Sequence, residues 1–143
     1  MNLQSFQSAL AEKIRSIPLL AGLAVREEEM GNIIETVEQD ILKDKFCVVI
    51  GTATYTDDAP DAFACYGTSR VTISIFEDPE LNRVKSNRPT FLNAAQEIAK
   101  ALKLFRPDIP GAGSLTSPAI SSPRDLGDGV ISCEVTFETK LTL

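Results

Sequence analysis

Three carboxylates lie close together where a predicted strand ends, at Glu77, Asp78 and Glu80. Paired carboxylates can serve as general acid and base when they face a common cleft. The sequence has no histidine, which removes imidazole relays, histidine-based triads and most zinc sites. The spacing favours a charged loop, with Arg83 or Arg88 as ionic partners, over a catalytic pair. We expect no catalytic residue, and a small-ligand site or divergent enzyme using Glu77 and Asp78 remains an alternative.

Three other groups could bind or react with small molecules. Asp57, Asp58 and Asp61 offer oxygen ligands, but they lack the D-x-[DN]-x-[DN]-G spacing of a calcium loop and are typical of a solvated turn. The glycines of residues 111–114 lack the Gly-Lys-Ser/Thr continuation of a phosphate loop. Cys65 has no identifiable base to activate it as a nucleophile. We therefore expect neither a metal nor a cofactor.

The remaining cysteines indicate structure rather than redox chemistry. Cys47 and Cys133 lie in apolar or alternating segments, where a cysteine behaves as a small buried hydrophobe. The odd number and wide spacing of the three cysteines predict no disulfide framework. The first residues show no secretory signal, and no apolar run approaches the roughly 20 residues that span a bilayer. We expect a reduced protein that is neither secreted by a signal peptide nor inserted in a membrane.

The charge balance argues against nucleic acid as a specific partner. Lys and Arg number 14 against 20 Asp and Glu, giving a net charge of −6 and a pI near 4.7, which disfavours phosphate binding. Arg83, Lys85 and Arg88 form a small basic cluster that suits an acidic protein surface. The candidate interface residues are Glu77, Asp78, Asn82, Arg83 and Arg88.

Three amphipathic helices are predicted from the spacing of apolar residues. The 143 residues are 43% hydrophobic, which suits a single domain over 1–143. Apolar residues recur every three or four positions over 3–17 and again over 33–42, where Asn32 can cap the helix. Thr90 can cap a third helix, whose apolar stripe reaches Leu102 and which is closed by residues 105–107.

A long β-hairpin is predicted in the middle of the chain. Residues 46–55 are rich in β-branched and aromatic side chains, and residues 63–76 end in a strict alternation of apolar and polar positions. The turn formers of residues 56–61 separate the two arms. A further short strand is predicted over 19–26.

The C-terminal third combines an extended arm with a clear strand. Residues 108–129 are rich in glycine, proline and serine and predict an arm or loop, with one short strand over 115–120. Residues 131–141 alternate with period two and predict the last strand. The order of elements predicts an α+β fold, in which two or three amphipathic helices pack on one face of a mainly antiparallel sheet.

Three segments carry a resemblance to a known family. They are Val71–Arg83, Ala94–Leu104 and Val130–Leu143, about half of the chain. The first contains Phe76-Glu77-Asp78-Pro79 followed by Asn82-Arg83, which looks like an E-[ND]-P-x-x-N-R turn of prophage tail-region proteins. With the helix and strand that follow, the chain resembles the small bacteriophage tail-terminator or minor tail proteins.

This resemblance implies a non-enzymatic subunit that forms a ring, commonly a hexamer, on the end of a tail tube. Its partners would be other copies of itself, the tail-tube protein and the head-completion proteins. It would be found in the bacterial host cytoplasm during assembly and then in the virion tail. The hairpin tip Thr56–Phe63 and the arm Asp108–Gly129 could supply head-to-tail contacts between subunits. A head–tail connector or neck adaptor is the alternative.

Overall fold

The computed structural model describes residues 1–28, 33–82 and 89–143. The helices in this part of the chain are α1 (Leu3–Arg15), α2 (Ile33–Asp44), α3 (Pro79–Asn82) and α4 (Phe91–Leu102), with a 3₁₀ helix at Pro18–Leu20. The strands are β1 (Ala24–Glu27), β2 (Phe46–Ile50), β3 (Thr56–Asp57), β4 (Tyr66–Glu77), β5 (Thr116–Ile120), β6 (Arg124–Asp125) and β7 (Ile131–Thr142).

All seven strands belong to one sheet. The main order is β1-β2-β4-β7-β5, while β3 pairs with β4 and β6 pairs with β7. Only β1 and β2 run parallel among the pairs in the described residues, and every other pair is antiparallel. β4 and β7 pair along their full lengths, from Tyr66 opposite Thr142 to Glu77 opposite Ile131. The predicted α+β fold with a mainly antiparallel sheet is confirmed.

One face of the sheet is closed by α1 and α4, and we call it the closed face. The alternation in β4 turns Val71, Ile73 and Ile75 toward these helices, because successive side chains of a strand point to opposite faces. The two helices contribute apolar residues at helical spacing, which form a stripe facing the sheet. The fully buried side chains contributed by α1 and α4 include Phe6, Leu10, Ile14, Ile98 and Leu102.

The opposite face carries α2, and we call it the open face. Cys47 and Val49 of β2 point to it, as do Thr72, Ser74 and Phe76 of β4, which lie opposite them or further along the strand. β2 is buried on both faces, which explains why its sequence is continuously apolar. Two or three helices were predicted on one face of the sheet. Two of them, α1 and α4, lie on the closed face, whereas the predicted second helix, α2, lies on the open face.

Several predicted boundaries shift in the structure. The strand predicted over 19–26 becomes the 3₁₀ helix followed by β1, with Gly22 between them at a φ of +77° that favours glycine. The strand predicted over 46–55 ends at Ile50 as a regular element, although Thr54 still donates its N–H to the Arg70 carbonyl at 3.1 Å. The strand predicted over 115–120 is confirmed as β5. Asn32, the predicted cap of α2, lies outside the described residues.

Candidate interaction surface

Two of the predicted interface residues are buried and hold the chain in place. Glu77 is 1% exposed, and its Oε2 accepts a hydrogen bond of 2.6 Å from the N–H of Phe91 at the start of α4. A carboxylate there is favoured because the first N–H groups of a helix lack partners and carry partial positive charge. Asn82 is 3% exposed, and its Nδ2 donates to the Pro89 carbonyl at 3.1 Å. The Glu77 side chain therefore joins the end of β4 to the start of α4, and the Asn82 side chain joins the end of α3 to Pro89.

Asp78 lies on the open face, away from Glu77. Its Oδ1 accepts a hydrogen bond of 3.2 Å from the N–H of Leu81, in the first turn of α3. The two carboxylates therefore do not face a common cleft, and the geometry needed for a paired acid and base is not formed by them. Arg83 and Arg88, like Lys85, lie outside the described residues. The interface assigned to this segment stays a prediction.

The acidic turn is part of the hairpin scaffold. Asp58 Oδ2 accepts a hydrogen bond of 2.6 Å from Lys140 Nζ and one of 2.8 Å from Thr68 Oγ1. The hydrogen bond from Lys140 is the main reason why the pKa of Asp58 is lowered. The same hydrogen bond is the main reason why the pKa of Lys140 is raised. Asp57 Oδ1 accepts from the N–H of Ala59 at 2.7 Å. Within the described residues, no group of three or more cysteines and carboxylates is arranged to hold a metal ion.

The cysteines lie where the sequence indicated. Cys47 and Cys133 are buried, and Cys65 is exposed. Burial raises the pKa of both buried thiols, so they stay protonated near neutral pH. Cys47 Sγ donates toward Asp40 Oδ2 at 3.4 Å, which brings it into the contact that holds α2.

Helix α2 is attached to the sheet by a polar contact between Asp40 and Arg26. Asp40 is the only buried residue of α2, and it accepts hydrogen bonds of 2.9 and 3.0 Å from Nε and Nη2 of Arg26 on β1. A bidentate pair of this kind fixes both distance and orientation. The hydrogen bonds from Arg26 are the main cause that lowers the pKa of Asp40. Two apolar residues of α2 have little cover, since Ile34 is 74% and Leu42 is 73% exposed, while Ile33, Val37 and Ile41 are partly buried.

An open cavity of about 900 Å³ lies between α2, the open face of the sheet and the loop after β6. We call it the α2 groove. Its apolar lining residues are Ile33, Ile34, Val37, Ile41, Leu42, Val49, Phe76, Leu81, Leu126 and Val130. Its charged lining residues are Glu28, Glu38, Asp78, Asp128 and Lys45.

The sequence alone did not identify the α2 groove. The apolar spacing over 33–42 predicts a stripe on a helix, and such a stripe normally packs on a core. The signal that could have distinguished this helix is Asp40, an acidic residue that lies on the side of α2 facing the sheet. The polar positions Thr72 and Ser74 give the second signal, because a helix cannot bury an apolar stripe fully on them.

A second exposed feature lies at the hairpin tip. Phe63, between β3 and β4, is fully exposed, and Tyr66, three residues further along the chain, is partly exposed. The arm predicted over 108–129 ends in a strap, residues 116–129, that runs along β7 and is exposed except at Pro118. These two features are the candidate subunit contacts predicted from the sequence, and both reach the surface.

Comparisons with known proteins find a likeness of fold among solved structures. No protein-family model matches the chain, and no curated protein matches it. Among solved structures, a chain from the virion of a native gene transfer agent particle has the same fold, with a TM-score of 0.63 and 16% sequence identity. The likeness covers 99% of this chain and 98% of that one. In the described part of this chain, no helix is long and apolar enough to cross a membrane.

Proposed function

We propose that this protein is a structural subunit of a phage-like particle. The supporting observation is the near-complete fold likeness to a chain of a gene transfer agent virion, which leaves neither chain with a large unmatched region. The fold of the whole chain is shared, so the likeness is not confined to a common substructure such as a hairpin. The resemblance of Val71–Arg83, Ala94–Leu104 and Val130–Leu143 to tail-region proteins points in the same direction.

Within such a particle, we assign the protein to the end of the tail tube, where it forms a ring that docks the tail to the head. A ring needs two different surfaces on each subunit that fit one another head to tail. The fully exposed Phe63 provides an apolar side chain that can insert into a neighbour. The exposed strap of residues 116–129 provides a second, separate surface.

The two edges of the sheet are poorly suited to join subunits by strand pairing. On edge strand β1, the Val25 carbonyl already accepts a hydrogen bond of 2.8 Å from Arg15 Nη2. On edge strand β5, Pro118 has no N–H, Ser117 has a φ of +53°, and the register shifts between Thr116 and Ala119. Proline and bulges are the usual protection of a sheet edge. Contacts through the hairpin tip and the strap are therefore favoured over edge pairing.

The net charge of −6 suits a ring through which DNA passes. An acidic lumen lacks the phosphate contacts and counterion release that make proteins adhere to DNA. The charge thus supports a conduit and not a DNA-coating protein.

Light scattering after size-exclusion chromatography tests this function. We expect a ring-sized species, either in a concentration series of the protein alone or after addition of purified tail-tube protein. Phe63→Ser should reduce the ring-sized fraction, whereas Leu104→Ser, which changes an exposed apolar residue outside the hairpin tip, should leave it intact. A protein that stays monomeric and ignores the tail-tube protein would contradict tail termination. Binding to a portal protein instead would favour the connector alternative.

A further inference from the structure

The α2 groove is an apolar surface without a partner in the described part of the chain. Ile34 and Leu42 are mostly exposed, while Val49 and Phe76 line the opposite side of the same cavity. Large apolar side chains that gather around one open cavity are typical of an interaction site. The cavity of about 900 Å³ is large enough to take several side chains of one partner element.

The floor of the groove limits how a partner can bind. It is formed by β2 and β4, and each of these strands is already paired with a neighbour on both sides. An added strand would find no free backbone donors or acceptors there, so strand addition is excluded at the floor. Recognition must come from side chains, which is how an amphipathic helix binds in an apolar groove. A helix with its side chains is about 10–12 Å across and satisfies its own backbone groups.

The charged residues that line the groove favour a positively charged partner. Among its described lining residues, four are acidic, at Glu28, Glu38, Asp78 and Asp128, and one is basic, at Lys45. Glu28 is partly engaged, since its Oε2 accepts from the N–H of Thr52 at 2.9 Å. Lysine and arginine beside the apolar residues of a partner would complement this rim.

The same charges disfavour a second copy of this chain as the occupant. Two α2 grooves facing one another would bring their acidic rims together. The other exposed apolar feature, Phe63, is carried by a loop with Asp57, Asp58 and Asp61, which would also meet that rim. A second copy therefore fits the groove poorly, whether it binds through its own groove or through its Phe63 loop.

We propose that the α2 groove binds an amphipathic helix of another protein, one whose apolar face is flanked by lysine or arginine. The apolar residues of that helix pack on Ile34, Leu42 and Phe76, and its cations face the acidic rim. This proposal rests on the groove itself and does not require the ring, so the two can fail separately.

A synthetic peptide provides a direct probe. We would use a fluorescently labelled 18-residue helical peptide of leucine and lysine, a matched peptide with glutamate in place of lysine, and the full-length protein. Fluorescence anisotropy at physiological salt should show saturable binding of the lysine peptide, with the glutamate peptide at least ~10-fold weaker because its charge repels the rim. Absence of binding by the lysine peptide, or equal binding of both peptides, would overturn the proposal.

Matched variants separate the groove from the rest of the acidic surface. Ile34→Ser combined with Leu42→Ser should weaken the lysine peptide ~10-fold or more, because two apolar contacts are lost. Leu92→Ser combined with Leu104→Ser changes two exposed leucines elsewhere and should have no effect. Glu38→Lys should weaken binding more than Glu12→Lys, although both change the net charge equally.

Two further results would contradict the proposal. Binding that survives the double change at Ile34 and Leu42 would show that the peptide adheres to general negative charge. A particle mass in light scattering that falls in this variant, without added peptide, would assign the groove to a second copy. Circular dichroism checks that each variant keeps its fold, which we expect because both residues are mostly exposed.

Discussion

The closed and open faces of the sheet are covered by helices in opposite ways. On the closed face, α1 and α4 bury large apolar side chains such as Phe6 and Ile98 completely. On the open face, α2 buries only Asp40 and leaves its apolar residues around a cavity. One face therefore supplies most of the stability through apolar burial, and the other keeps apolar surface available for a partner.

The largest expected difference between the two faces is the loss in the free energy of unfolding when an isoleucine is replaced by alanine. Ile98→Ala in α4 should cost about 2–5 kcal/mol in the free energy of unfolding, because it leaves a cavity in a packed core. Ile34→Ala in α2 makes the same chemical change at a mostly exposed position and should stay within about 0.5 kcal/mol. Urea denaturation measures both. Equal losses would mean that α2 is packed as tightly as α4.

The polar attachment of α2 should have the next largest effect. Asp40→Asn should lower the free energy of unfolding by about 1–3 kcal/mol, because hydrogen bonds to a charged group are lost. The loss stays below that of a fully buried pair because Arg26 is half-exposed. Glu38→Gln, which alters an exposed carboxylate of the same helix, is the control and should change little. An unaffected Asp40→Asn variant would contradict the role of this contact.

The same contact predicts a pH dependence. The pKa of Asp40 is lower in the folded protein than its ordinary value near 3.8. The stabilisation is therefore complete above about pH 4–5 and is lost as the pH falls through the lower, folded-state pKa. In acid titrations of stability, Asp40→Asn should remove this component, so the wild type and the variant should differ above about pH 4–5 and converge only below the folded-state pKa of Asp40. A difference that persists unchanged in acid would argue against it.

Sequence patterns predicted the closed face better than the open one. The alternation over 131–141 and the helical spacing over 3–17 each fix which side chains point inward, and both elements were predicted correctly. The same spacing over 33–42 defines a stripe but not the surface beneath it. Glu77 and Asn82 were expected at an interface because they are polar residues in a turn. Their burial depends on α4, whose first N–H lies 14 residues after Glu77.

The cap of α4 offers a smaller test on the closed face. Thr90 Oγ1 accepts a hydrogen bond of 3.2 Å from the N–H of Asn93. Thr90→Ala should cost about 1 kcal/mol in the free energy of unfolding, and Thr90→Ser should restore most of it by keeping the hydroxyl. Thermal denaturation distinguishes the two. A serine variant as unstable as the alanine variant would show that the methyl group matters instead.

The smallest expected effect on stability comes from the basic segment. The prediction assigns the charges of Arg83 and Arg88 to assembly and not to folding, so Arg83→Glu combined with Arg88→Glu should change the free energy of unfolding by no more than about 0.5 kcal/mol. Ring or tail assembly should nevertheless be impaired, because the predicted interface loses its cations. Lys103→Glu combined with Arg106→Glu gives the same change in net charge at exposed positions and should assemble normally. Normal tails from the first variant would reject the basic interface.

Native-state hydrogen exchange tests the division between the faces most directly. In the free protein, we expect the backbone amides of α4 to exchange only through global unfolding, because Ile98 and Leu102 are locked in the core. The amides of α2 should exchange through a local opening of much lower free energy, since Asp40 is their only buried anchor. Equal protection of α2 and α4 would contradict the account.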